Sequence, residues 1–127
     1  MANGIFVTAI NCMDGRTQLP VNEWLRTQFK ADYVDTITEP GPDKILSEPA
    51  NPLADSIKNR VLISVEKHGS KVIAIVAHGG CAGNPVTKEE HLEMVKKAVA
   101  TVAGWVEGVT VLGLWLDDSD WVVKKIC

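Results

Sequence analysis

The order of the apolar runs constrains this chain more than any other feature. Gly4 to Ile10 (GIFVTAI), Lys71 to Ala77 (KVIAIVA) and Val109 to Leu116 (VTVLGLWL) are short, apolar and rich in β-branched residues, and so read as buried strands. Asp32 to Thr38 (DYVDTIT) alternates polar with apolar residues and reads as a fourth, less buried strand. Between them lie stretches with helical spacing. Pro20 to Lys30 puts Val21, Trp24, Leu25 and Phe29 on one face, and a second helix carries Ile57, Val61, Leu62 and Val65. Asn51-Pro52 has the form of an N-cap with a first-turn proline, and Gly69 the form of a C-terminal stop. Thr87 and Glu90 form a capping box before a third helix faced by Leu92, Val95, Val99 and Val102. Pro40, Gly41 and Pro42 mark a loop, and Ser119 is expected to cap a short last helix.

Strands alternating with helices predict an α/β fold, a three-layer open parallel sheet of about four strands with helices on both faces. Right-handed crossovers follow, and the expected strand order is 2-1-3-4. The 127 residues suit a single domain spanning 1–127. Thirteen basic against sixteen acidic residues give a net charge of −3, without the basic footprint of a nucleic-acid or anionic-membrane binder. The longest strongly apolar run, Val72 to Ala77, is far short of the ~20 residues of a membrane helix. The first residues, MANGIFVTAINCMDGR, lack a basic n-region, so a cytoplasmic location is expected. Three cysteines in a reducing compartment point to metal binding or nucleophilic chemistry sooner than to disulfides.

In open parallel sheets the ligand sits beyond the carboxyl ends of the strands, where the strand order reverses. With the expected order that place lies between the first and third strands. Cys12-Met13-Asp14-Gly15-Arg16 follows the first, and His78-Gly79-Gly80-Cys81 follows the third. Cys12 or His78 taken singly reads as an ordinary core residue. Taken together they assemble two thiols and an imidazole, the donors zinc prefers, with a fourth position left open as in catalytic sites. Cys127, at the far end of the chain, is a bystander. Cys12 and Arg16 stand too close in sequence for a tyrosine-phosphatase loop, and there is neither a C-x-x-C pair nor a Walker phosphate loop. A cysteine hydrolase with His78 as base stays open, but it gives Cys81 no role.

C-x-D-x-R followed by H-x-x-C on this αβ pattern resembles the β-carbonic anhydrases. SVEKHGSKVIAIVAHGGCAG is similar to that family's helix, strand and metal loop, and the likeness runs from the first strand to roughly Asp117. The resemblance implies that Cys12, His78 and Cys81 ligate one Zn2+ and that Asp14 and Arg16 act as a catalytic dyad. Arg16 would then hold Asp14 off the metal, and release of Asp14 would let it fill the fourth position. The implied reaction is reversible hydration of carbon dioxide to bicarbonate by zinc-bound hydroxide, in a homodimer or higher homo-oligomer. His68 and His91 are proton-shuttle candidates by type only and read as solvated helix residues.

The chain departs from the family at two places. Glu39-Pro40-Gly41-Pro42-Asp43 replaces an Asn/Ala/Gly-rich loop, and Gly79 replaces the serine after the metal-binding histidine. These changes spare the ligands and touch the substrate pocket, which leaves hydrolysis of carbonyl sulfide or carbon disulfide as an alternative. Glu39 and Asp43 read equally as groups at the mouth of the site and as solvated loop charges. A non-catalytic zinc-binding domain, with Asp14 permanently on the metal, is the alternative outside enzymology. Trp24 fits a core-facing stripe, whereas Trp115 and Trp121 suit either a subunit interface or plain core packing.

Overall fold

The computed structural model describes residues 3–127. Its elements in chain order are β1 (Phe6–Cys12), α1 (Gln18–Phe29), β2 (Tyr33–Glu39), α2 (Pro42–Ser47), α3 (Pro52–His68), β3 (Val72–His78), α4 (Lys88–Ala103), β4 (Thr110–Leu116) and β5 (Val123–Lys125). A single 3₁₀ turn, Gly15–Thr17, links β1 to α1. The strands form one sheet in the order β2-β1-β3-β4-β5. The first four are mutually parallel, as expected, and β5 is antiparallel to β4.

Side chains alternate across the sheet and divide the core in two. Val72, Ala74 and Val76 of β3 join Val7 and Ala9 of β1 beneath Val21 and Leu25 of α1. Ile73 and Ile75 face the other way, toward Ile45 and Leu46 of α2, Ile57 and Val61 of α3, and Ala98 and Val102 of α4. Helices therefore cover both faces. β3 is buried along its whole length, whereas β2, at the sheet's edge, is largely open to solvent. No helix among the described residues is long and apolar enough to cross a membrane.

The helix signals act as read. Asn51 accepts from the Leu53 amide, Gly69 ends α3 in the left-handed region at φ 72°, and Thr87 accepts from the Glu90 amide. Two expectations are corrected. Pro40-Gly41-Pro42 does not simply mark a loop: Gly41 turns at φ 66° and Pro42 occupies the first turn of α2, where its missing N–H costs nothing. Ser119 caps no helix. Its amide is taken by the Asp117 carboxylate in a turn, and the chain returns as the short strand β5.

β1 also extends two residues beyond the expected Ile10, and β3 one beyond Ala77. Cys12 and His78 are thus the terminal residues of their strands. β1 pairs with β2 over seven positions, but with β3 only over Thr8–Ile10 against Ile73–Ile75. Beyond Ile10 and Ile75 the two strands part, and the crevice opens between them.

Candidate metal centre

Cys12 and His78 reach this crevice from the last positions of β1 and β3, and Cys81 returns to it after the Gly79-Gly80 turn. The turn needs glycine at Gly80, which lies in the left-handed region at φ 66°. All three side chains are buried, and one ligand atom from each, the two Sγ atoms and an imidazole nitrogen, lies within 4.8 Å of the others.

The donor set fits a tetrahedral ion such as zinc. The Cys12 and Cys81 sulfurs are 3.8 Å apart. Two sulfurs each about 2.3 Å from a tetrahedral centre stand about 3.8 Å from one another. His78 Nδ1 donates to the Gly79 carbonyl at 2.8 Å, which fixes the tautomer and leaves a lone pair on Nε2. That Nε2 is buried with no hydrogen-bond partner, the condition of a nitrogen kept for a metal. Backbone N–H groups of Gly41 and Asp14 point at the Cys12 sulfur, and those of Asn84 and Gly83 at Cys81. Without an ion, the Cys81 thiol beside Cys12, followed by His78 and the two N–H groups, outweighs burial and lowers Cys12 to about 4. The same thiolate and burial push the Cys81 thiol up.

Asp14 stands at the rim. One of its carboxylate oxygens is 3.9 Å from His78 Nε2, yet the carboxylate is turned to Arg16. Arg16 grips it with two parallel bonds, Nε to Oδ1 at 3.0 Å and Nη2 to Oδ2 at 2.7 Å, and adds its backbone amide at 2.9 Å. The Arg16 guanidinium holds the Asp14 carboxyl well below the ordinary carboxylate range, at about 2. The Gln18 side-chain amide donates to the carbonyls of Cys12 and Asp14 at 2.6 and 3.1 Å, locking the turn that carries both residues. A cavity of about 360 Å³, lined in part by Cys12, Met13, Asp14, Pro40 and Ala82, opens beside this pair.

A family model described as "Putative carbonic anhydrase" matches residues 2–127. The chain belongs to that family. Solved structures add the fold. At 14% identity and a TM-score of 0.63, the chain is similar to β-carbonic anhydrase isoform I of Trichomonas vaginalis, over 94% of its own length and 81% of that protein's. It is similar to the carbonic anhydrase of Streptococcus mutans at 16% identity and a TM-score of 0.64, over 95% and 81%. Two β-carbonic anhydrases of Sordaria macrospora, described as tetrameric, are represented by a match at 13% identity and a TM-score of 0.58, over 98% and 82%. No curated protein sequence matches the chain. Its fold is that of the β-carbonic anhydrases, shared at 13–16% sequence identity with these structures.

Four features of this family member escape a linear reading. His91 is not a solvated helix residue: it and Asp43 are each 1% exposed, and His91 Nδ1 meets Asp43 Oδ2 at 2.6 Å. The Asn84 side chain donates to the same oxygen at 3.2 Å, so the pair ties together the loops that supply Gly41 and Asn84 N–H groups to the sulfurs. His68 is likewise engaged, with Asp35 at 2.6 Å, at the opposite end of the sheet from the crevice. Glu39 forms an ion pair with Arg60. The fourth feature is aromatic: Trp121 lies 4.6 Å over the Arg16 guanidinium and 5.6 Å from the His78 ring. Trp115 packs in the core at 2% exposure, and Cys127 is exposed and apart.

Proposed function

We propose that this chain is a single zinc domain, residues 1–127, that catalyses the reversible hydration of carbon dioxide to bicarbonate. Cys12, His78 and Cys81 would hold one Zn2+, and Asp14 with Arg16 would form the catalytic dyad. The observation that carries this reading is the Asp14 carboxylate, held 3.9 Å from the unpartnered His78 Nε2 by a two-pronged Arg16. Zinc, when bound, supplies the Lewis acidity that turns water into a nucleophile at neutral or alkaline pH.

The chain's own residues do the rest. An ionised carboxylate can only accept hydrogen bonds, so Asp14 would take the proton side of a water beside it and turn its lone pair toward the cavity. Arg16 occupies both Asp14 oxygens from behind and keeps the carboxylate from swinging onto the ligands. Met13, Pro40 and Ala82 give the cavity apolar walls suited to a small linear molecule without charge. Those walls also favour a second reading, hydrolysis of carbonyl sulfide or carbon disulfide, whose sulfur atoms are more readily desolvated than oxygen. A homodimer or larger homo-oligomer in the cytoplasm completes the proposal, supported by the tetrameric description of the Sordaria proteins.

Stopped-flow carbon dioxide hydration on zinc-loaded protein at pH 7 and pH 9 tests the reading. Turnover that needs both zinc and Asp14 supports it. Absence of turnover at either pH with zinc bound refutes it and directs the assay to the sulfur analogues. Cobalt substitution addresses the non-catalytic alternative, because an open site changes its spectrum when azide is added and a closed one does not.

A further inference from the structure

Trp121 and Lys30 are the two non-glycine residues at positive φ among the described residues, and Trp121 lies at 54°. A bulky side chain is strained there, and a residue held so is over-determined by its surroundings. The surroundings are visible. The Trp121 amide donates to the Asp117 carbonyl at 2.8 Å, the Ser119 amide to the Asp117 carboxylate at 3.0 Å, and the Val122 amide to the Asp120 carboxylate at 3.0 Å. This turn between β4 and β5 folds the indole back across the mouth of the crevice. There it covers the Arg16 guanidinium at 4.6 Å, touches the His78 ring, and packs on the core beneath α1.

Arg16 benefits from such a contact. Its side chain remains 59% exposed even with the indole against it, and an exposed arginine–carboxylate pair holds one geometry weakly against water and rotamer entropy. The ring adds a cation–π contact on the guanidinium face while leaving the N–H edge free for Asp14. We propose that Trp121 is a positioning residue that holds Arg16 in the orientation which pins Asp14, so that the β4–β5 turn controls the dyad from outside the ligand loops. This deepens the hydration reading and rests on it only for the effect on rate.

The test uses zinc-loaded full-length protein and two readouts. The first is the Arg16 Nε–H resonance, which the indole face and the Asp14 bond together should shift and protect from solvent exchange. Trp121→Asn suits the left-handed turn and keeps the loop while deleting the ring; Trp121→Leu deletes the ring but keeps bulk; Trp121→Phe restores an aromatic face. Loss of the protected signal in the Asn and Leu variants, with retention in Phe, is expected. Hydration should fall roughly five- to tenfold in the first two and stay within about twofold in Phe. An Arg16 signal unchanged in Trp121→Asn overturns the proposal, as does a lost signal with an unchanged rate. A wild type that lacks hydration activity but shows the Trp121-dependent signal refutes the hydration reading and leaves the positioning of Arg16 supported.

Discussion

His91→Leu is the substitution with the most informative cost. It leaves the Asp43 carboxylate, 1% exposed, with the Asn84 amide as its remaining side-chain partner. Breaking a buried pair by removing one member costs about 3–5 kcal/mol, because the other is stranded away from water. With an unfolding entropy of ~2.1 cal/mol/K per residue, a chain of this length should lose roughly 11–19 °C in melting temperature. The second expected effect is on the metal. The pair steadies the loops whose Gly41 and Asn84 N–H groups face the two sulfurs, and loss of such outer supports typically weakens metal binding about 10–100-fold. Asp43→Leu/His91→Leu separates the two effects. Replacing both members by apolar side chains is often near neutral for stability, so the double variant should recover most of the melting temperature and little of the affinity. Scanning calorimetry and competition with a chromophoric zinc chelator measure the two. A His91→Leu protein melting within about 3 °C of wild type would refute the argument from burial. A double variant with wild-type zinc affinity would refute the argument from positioning.

Asp14→Asn should keep zinc, as judged by metal analysis, while hydration falls by about 10²-fold or more, the usual scale for losing a proton-accepting group. Cys12→Ser combined with Cys81→Ser should abolish tight zinc binding; retention of stoichiometric zinc after dialysis against a weak chelator would sink the ligand assignment. In Gly83→Ala the new Cβ would stand 2.5 Å from the Pro40 carbonyl carbon, so the loops must separate. A loss of about 1–3 kcal/mol in denaturant unfolding, together with weaker zinc binding, is expected. Stripping zinc with a strong chelator should lower the melting temperature and restore it on readdition, by about 4 kcal/mol of stability when free zinc is a thousandfold above its dissociation constant.

Much of this was legible because the decisive signals are local. KVIAIVA is the clearest buried strand in the chain, Asn51 and Thr87 each cap a helix by the hydrogen bond their residue type suggests, and Gly69 ends one by its left-handed turn. The convergence of Cys12, His78 and Cys81 followed from strand order alone. What stayed hidden depends on distance in sequence or on context. His91 meets Asp43 across 48 residues, and a histidine in an amphipathic helix carries no mark of a partner that far away. α2 was masked by Pro-Gly-Pro, three residues that stop helices more often than they start them. Trp121 reads from sequence as an interface or core residue, and its placement over Arg16 depends on a left-handed turn that tryptophan's own preferences argue against. β5 is three residues long and pairs in the opposite sense to its neighbours, too short to show a period.

The short ladder between β1 and β3 has a consequence for how the molecule comes apart. Where the two central strands stop pairing after Ile10 and Ile75, backbone bonds no longer join the halves of the sheet at that end. An ion held by Cys12, His78 and Cys81 would bridge that gap, closing a circuit between cysteines 69 positions apart. Occupancy and local opening are then the same equilibrium seen from two sides: whatever binds the ion tightens the seam, and whatever loosens the seam sheds the ion. Under metal scarcity the first amides to exchange with solvent should be those of the two ligand loops, while β3 and β4 stay closed. Without such an ion, the two strand ends at the crevice would need another tie to stay together.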